Sequence, residues 1–154
     1  MDASFIALGA NTPEAALTLN RVALGTFFAI SGYHKLFNAT RHETLKRTLQ
    51  ENGVPALSIT QWLVPGVEFS AGCALVIGLL SVLAAFGLFV ISFTAVALDG
   101  VRRIRAWQPI NRADWLDDVL YLPESLYCIG LAIVILAGPG PFGLDATIAR
   151  FLVQ

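Results

Sequence analysis

The sequence predicts an all-α integral membrane protein: a four-helix bundle of antiparallel spans, with a short interfacial helix between the first two. Two observations indicate this. Hydrophobic residues make up 56% of the chain and charged residues 14%, whereas an ordinary soluble domain is about 25% charged. The stretch 63–98 also contains a single charged residue, Glu68. As one helix it would measure roughly 54 Å against a hydrocarbon core of about 30 Å, so it predicts two crossings.

The first span is predicted at 13–37, after the helix-start signal Thr12-Pro13-Glu14, because proline is favoured at the first helical position. Asn38 interrupts the apolar pattern, and Thr40-Arg41-His42-Glu43 has the form of a capping box. Residues 40–52 then carry leucines on one face and charges on the others. This pattern predicts a short helix lying at the membrane surface.

The other three spans are apolar stretches bounded by turn-forming or charged residues, at 59–80, 82–98 and 119–137. The turn near Ser81 must be tight, because the second and third spans almost touch in sequence. Asp99-Gly100 is predicted to end the third span and to open a polar connection. Pro123 predicts a kink near the start of the fourth. A single domain, 1–154, contains all four spans.

The basic residues predict the orientation. Every lysine and arginine except Arg21 and Arg150 lies beside the first or the third connection between spans. Such a bias is typical of the cytoplasmic side. Both termini are therefore predicted on the outer side of the membrane.

Two kinds of site are not predicted. The basic residues form no stripe with interleaved aromatic residues, so the expected partner is the lipid bilayer and not nucleic acid. Cys73 and Cys128 lie in separate apolar spans and show neither disulfide nor metal-ligand spacing. They are interpreted as small packing residues, and no metal site is expected.

Ionisable residues inside the spans are the candidate functional residues, because a charge at that depth is costly unless it is paired or hydrated. Glu68 lies near the middle of the second span, and Lys35 enters from the cytoplasmic end of the first as its natural partner. Glu124 and Asp99 are predicted in the same half of the bundle. Lys35, Glu68 and Glu124 are therefore the candidate catalytic residues. A buried salt bridge that only fixes helix packing is the alternative.

One face of the first span carries a stripe of residues at helical spacing: Arg21, Gly25, Phe28, Gly32 and Lys35. Glycines on a shared face allow a neighbouring helix to come close. Phe28, Gly32 and, on the second span, Gly72 are the candidate cofactor-binding residues, with core packing as the alternative for each. For Arg21 and Lys35 the alternative is simple extension towards lipid headgroups.

These residues resemble the DoxX-type family of small four-helix bacterial membrane proteins. The stretch from Arg21 to Phe37 is similar to the family's opening helix, and Gly53-Val54-Pro55 precedes the second span as it does there. The stretch 68–79 resembles the second helix, and 138–145 resembles the closing glycine-proline motif with its aspartate. Two features depart from the family: the turn at Ser81 lacks a basic residue, and the third connection is long and rich in arginine.

The resemblance implies a bacterial inner-membrane protein, such as the membrane subunit of quinone-linked sulfur oxidation or an anchor in redox and oxidative-stress complexes. A quinone cofactor and a soluble oxidoreductase partner would follow from such a role. Together with the topology, the resemblance also implies a structural charge pair between Arg21 and Asp145, which would tie the tail to the first span.

Three functions are left open. The first is a membrane subunit of a redox complex, with a quinone or proton site built from Lys35, Glu68 and Glu124, because quinone reduction needs an apolar slot with a few polar groups. The second is a non-enzymatic scaffold held together by its buried charges. The third is a small transporter, which would need a homo-oligomer because four spans leave little room for a pore.

Overall fold

The computed structural model describes residues 13–152. Every regular element in this range is helical, which confirms the all-α prediction. The helices follow in the order α1 (Pro13–Phe37), α2 (Ala39–Glu51), α3 (Leu57–Ile77), α4 (Ser81–Ala95), a π-helical turn (Val96–Gly100), α5 (Val101–Ala106), α6 (Arg112–Tyr121), α7 (Pro123–Ala137) and α8 (Leu144–Leu152). α1 has the bounds predicted for the first span, while the capping role expected of Thr12 lies outside the described residues.

Asn38 separates α1 from α2, and it is also the N-cap of α2. Its backbone is extended, and its Oδ1 accepts hydrogen bonds from the backbone N–H groups of Thr40 (3.0 Å) and Arg41 (3.2 Å). The prediction that Thr40 opens a capping box was therefore wrong, because Asn38 already satisfies the first free N–H groups of the helix. α2 has no buried residue, as expected for a helix at a membrane surface.

The connection between α3 and α4 is the tight turn predicted near Ser81. Gly78 and Leu80 both adopt positive φ, at 72° and 49°. Leu80 is the N-cap residue of α4, and its side chain provides no capping hydrogen bond. A residue of the distant tail provides it instead. Asp145 accepts hydrogen bonds from the backbone N–H of Leu80 (2.7 Å) and of Ser81 (2.8 Å) through its two carboxylate oxygens.

α4 continues through the π turn and α5 as one helix, Ser81–Ala106. The prediction that Asp99-Gly100 ends the third span was wrong. Gly100 lies inside the π turn, where it is buried, and a Cβ there would stand 2.7 Å from Leu122 Cδ1. Asp99 forms ion pairs with Arg102 (2.9 Å) and Arg103 (3.1 Å) in the next turn. Close packing and these pairs at i+3 and i+4 offset the low helix propensity of the two residues.

The region of the predicted fourth span is broken in two. α6 already begins at Arg112, inside the predicted polar connection, and α7 begins at Pro123. Leu122 between them is extended (φ −70°, ψ 124°), as expected for a residue before proline. The helices meet at 71°. The kink at Pro123 is thus confirmed, but the start predicted at 119 was wrong.

Four helices contribute to one apolar core. Its buried residues come from α1, α3, α4 and α7: Leu24, Phe28, Leu75, Ala84, Ala85, Leu88, Leu131 and Val134. Large apolar side chains also point outward, among them Leu83 and Leu136, at 67% and 86% exposure. Three helices are long and apolar enough to cross a membrane, namely α1, α3 and Ser81–Ala106, and α6 and α7 pass the same test only as one bent span.

Candidate functional site

The site begins with the contact between α1 and α3, which is the most extensive helix contact in the fold. Glycines make it close: a Cβ on Gly25 would lie 2.8 Å from the carbonyl oxygen of Gly72, and one on Gly72 would lie 2.9 Å from the Cα of Ala29. Gly32 lies equally close to the backbone of Phe69. Because the two backbones touch, a side chain one turn further along α1 can reach across to α3.

Lys35 makes this reach. Its Nζ donates hydrogen bonds to Oε1 (2.7 Å) and Oε2 (2.6 Å) of Glu68. The hydroxyl of Ser31 donates a longer bond, of 3.4 Å, to Oε2. The side chain of Glu68 is only 6% exposed, whereas that of Lys35 is 28% exposed. The predicted partners therefore form a direct ion pair in which the carboxylate is the deeply buried member.

The pair lies in the wall of a cavity of about 510 Å³ between α1, α2, α3 and α4. Four ionisable residues line this cavity: Lys35, Glu68, Asp99 and Glu124. The rest of the wall combines the polar residues Thr48, Asn52, Thr60 and Thr94 with apolar residues, including Leu45, Leu49, Val64, Val90, Ile91 and Leu98. All four ionisable residues expected to converge thus border one space, although only Lys35 and Glu68 contact each other directly.

Glu124 is paired with a residue that the sequence did not suggest. Arg103 Nη2 donates to Glu124 Oε1 at 2.8 Å, and Arg103 Nε lies 3.1 Å from Asp99. The other oxygen of Glu124 is buried and has no hydrogen-bond partner among residues 13–152. Arg103 therefore holds two of the cavity's carboxylates and leaves one buried oxygen of Glu124 without a partner within the same range.

A second set of ion pairs joins this cluster to the surface helix α2. Arg102 lies 2.9 Å from Asp99 and 3.2 Å from Glu51, and Arg47 lies 2.7 Å from Glu51. The hydrogen bonds from Arg47 and Arg102 hold the pKa of the Glu51 carboxyl below its usual value. The chain of charges thus connects α2, α5 and α7 around one end of the cavity.

Sequence reasoning missed the arginines of this network for one reason. Their spacing of three and four residues after Asp99 was visible, but it places them on one face only if the helix continues past Gly100. Since that glycine was interpreted as the end of a span, Arg102 and Arg103 were assigned to a connection.

The candidate cofactor-binding residues lie elsewhere. Phe28 is buried in the core, with its ring centroid 5.2 Å from Phe27 and 5.6 Å from Tyr127. Gly32 and Gly72 face the backbone of the opposite helix. None of these three residues lines the cavity, and helix packing accounts for their positions.

Arg21 and Asp145 both fasten the tail, each through its own contacts. Arg21 is 2% exposed and donates from Nη2 to the carbonyl oxygen of Phe142. Asp145 caps α4, and its own N–H donates to the carbonyl oxygen of Gly78 at 2.8 Å. Within the described residues the two charges form no ion pair shorter than 4 Å. The expected tie is present, but backbone hydrogen bonds make it.

The pKa of Asp145 reflects this environment. Partial burial alone would raise it, but the N–H groups of Ser81 and Leu80 and the charge of Arg21 outweigh burial, so the pKa lies below its usual value. The carboxylate is therefore stabilised in its ionised form, which the partial positive charge at a helix N-terminus also favours.

No metal centre accompanies the site in the part of the chain that is described, where no three His, Cys, Asp or Glu residues are grouped as ligands. Cys73 and Cys128 are both free and half-buried.

Comparison with known proteins gives one match. No curated protein and no solved structure matches the chain. A family model described as DoxX matches residues 5–99, which is more than half of the 154 residues. The matched part contains the glycine contact of α1 with α3 and the ion pair of Lys35 with Glu68. With three helices able to cross a membrane, the chain belongs to the DoxX family of membrane proteins.

Proposed function

We propose that this protein is the membrane subunit of a quinone-linked redox complex, and that the cavity beside Lys35 and Glu68 binds the quinone headgroup. The observation that carries the proposal is an ion pair with a buried carboxylate, Glu68 with Lys35, in the wall of a cavity that many apolar residues line. The cavity volume, about 510 Å³, lies within the range of small-molecule sites. Ionisable residues inside membrane-spanning helices, such as Lys35 and Glu68, favour a functional role.

The polar groups suit a quinone. Two N–H bonds of Lys35 are used by Glu68, and an ammonium has a third to donate to a quinone carbonyl. Reduction of a quinone to a quinol takes up two electrons and two protons. Glu68 and Glu124 are ion-paired with Lys35 and Arg103, so the two protons would come from water, and these carboxylates would relay them to the carbonyl oxygens. A soluble oxidoreductase partner would supply the electrons.

The proposal includes an arrangement in the membrane. α6 and α7 together complete a fourth crossing, which makes the four helices of the core an antiparallel bundle in the bacterial inner membrane. The end that carries Lys35 and the arginines of α5 faces the cytoplasm, and both termini face the periplasm. The clustering of basic residues at the cavity end supports this orientation.

A scaffold without chemistry is the second candidate. It is favoured by one observation: both oxygens of Glu68 are already satisfied by Lys35, and a paired buried charge is sufficient to fix how helices pack. In that case the cavity would bind no quinone.

Quinone binding separates the two. The purified protein in lipid nanodiscs would be titrated with a short-chain ubiquinone analogue and a short-chain menaquinone analogue. Glu68→Gln removes the carboxylate of the ion pair with Lys35, and Glu43→Gln is the matched control, because Glu43 has a 71% exposed side chain on α2. We expect the analogues to bind saturably to the wild type and to Glu43→Gln, and to bind Glu68→Gln at least about tenfold more weakly than the wild type. If the wild type binds neither analogue, the redox site is refuted and the scaffold stands.

A further inference from the structure

A second groove opens on the other side of Lys35, at the junction of α1 and α2. Its volume is about 370 Å³. Six residues line it: Phe27, Ile30, Ser31, His34, Lys35 and Arg41. This groove is separate from the cavity described above: of its six lining residues, only Lys35 also lines that cavity.

The groove is apolar at one end and basic at the other. On α1, Phe27 lies about two turns before Lys35 and Ile30 about one turn before His34, so the two ends are separated by roughly 6–12 Å along the helix axis. Phe27 and Ile30 are 41% and 53% exposed. Arg41 in the first turn of α2 completes the basic end. Such a gradient has the polarity of a phospholipid, whose phosphate lies above its acyl chains.

At the basic end, Glu68 balances the charge of Lys35, whereas no carboxylate within residues 13–152 balances that of Arg41. Among the described residues no carboxylate lines the groove, and no acidic residue lies in the first turn of α2, whose N-terminus adds a partial positive charge. Arg41 forms no ion pair with any residue between 13 and 152, whereas Arg47 on the same helix is held by Glu51. The electrostatic field of the groove therefore favours an anion.

We propose that this groove binds an anionic phospholipid, with its phosphate held by Arg41 and His34 beside the ammonium of Lys35, and an acyl chain along Phe27 and Ile30. Basic pockets at the headgroup level of membrane helices bind such lipids. The proposal needs the chain to be embedded in a membrane but does not depend on quinone binding.

Lipid binding to the purified protein in detergent tests this directly, with native mass spectrometry as the readout. Phosphatidylglycerol and phosphatidylcholine with identical acyl chains would be compared. Arg41→Gln removes one charge from the groove. Arg105→Gln is the matched control, since Arg105 is an exposed arginine on α5 outside the groove. We expect the wild type to prefer phosphatidylglycerol and Arg41→Gln to bind it about fivefold more weakly, which corresponds to about 1 kcal/mol for one charge.

Three results would overturn the proposal. Equal binding of both lipids would show that the groove does not select an anion. Equal losses in Arg41→Gln and Arg105→Gln would show general surface attraction. Displacement of phosphatidylglycerol by millimolar inorganic phosphate would show a site for free anions, in which the acyl chain has no part. Preference for phosphatidylglycerol that weakens in Arg41→Gln and His34→Gln, and persists in Arg105→Gln and in phosphate, supports it.

Discussion

The pair of Lys35 and Glu68 makes a quantitative prediction about stability. Loss of one partner from a buried ion pair typically costs about 3–5 kcal/mol, because it leaves an uncompensated charge. The two partners differ here: the Glu68 side chain is 6% exposed and that of Lys35 is 28% exposed. Lys35→Met leaves the more deeply buried charge, that of Glu68, without a partner and is expected to cost about 3 kcal/mol or more. Glu68→Gln leaves the ammonium of Lys35 without a partner. Because this ammonium can reach water, the expected cost is about 1–3 kcal/mol.

A double-mutant cycle measures the pair itself. The free energies of unfolding would be compared in detergent micelles, by circular dichroism during titration with a denaturing detergent. We expect the double variant Lys35→Met, Glu68→Gln to be more stable than the sum of the two losses predicts, by at least about 1 kcal/mol.

An exposed pair gives the matched control cycle. Glu43 and Lys46 lie 3.7 Å apart on α2, with side chains 71% and 40% exposed. Their coupling is expected to be about 0–0.5 kcal/mol. Additive losses at Lys35 and Glu68, of the same size as in this control, would show that the buried contact contributes nothing, and the reasoning about the site would fail with it.

Two further predictions concern the supports of the site. Gly72→Ala places a methyl group against the backbone of Ala29 and should cost about 1–3 kcal/mol. Gly66→Ala, one glycine earlier on α3 with open space around it, should be neutral or stabilise the protein by up to about 1 kcal/mol; equal effects in thermal melts would refute the close contact. Asp145→Ala should cost about 1 kcal/mol through loss of the cap of α4. Because the folded-state pKa of Asp145 is lowered, its stabilisation is full above the usual pKa of an aspartate and is lost as the pH falls through the lower, folded-state value. Melts as a function of pH should therefore converge for the wild type and Asp145→Ala in acid, and a constant difference would contradict this.

The central pair of the site could be predicted from the sequence because two local patterns coincide. Lys35 continues the glycine stripe of α1, and Glu68 lies four residues before Gly72 on α3. Once glycines are expected to bring these two faces together, the charges must meet. The prediction therefore needed helical spacing and the cost of a buried charge, and no detail of side-chain geometry.

The cap of α4 could not be predicted in the same way. Asp145 is separated from Leu80 and Ser81 by more than sixty residues, and a cap supplied from another segment leaves no signature near the helix it serves. Topology together with the family resemblance implied a pair with Arg21, but the free N–H groups of α4 are closer to Asp145 and need an acceptor. Local sequence patterns indicate local partners. The tail is therefore held against α1 as expected, but Asp145 contacts the backbone N–H groups of Leu80 and Ser81 and not the side chain of Arg21.

The position of Lys35 argues against a role in packing alone. A pair that only fixes two helices is strongest when both charges are enclosed, since exposure of either weakens the attraction. Here the carboxylate is enclosed, while the ammonium borders the apolar cavity on one side and the basic groove on the other. An anion in the groove would attract the same ammonium that forms the ion pair with Glu68, and would weaken that pair. Phosphatidylglycerol should therefore alter quinone affinity in the wild type and in Arg105→Gln, and should lose this effect in Arg41→Gln. Quinone affinity that is independent of the lipid would show that the two sites act separately.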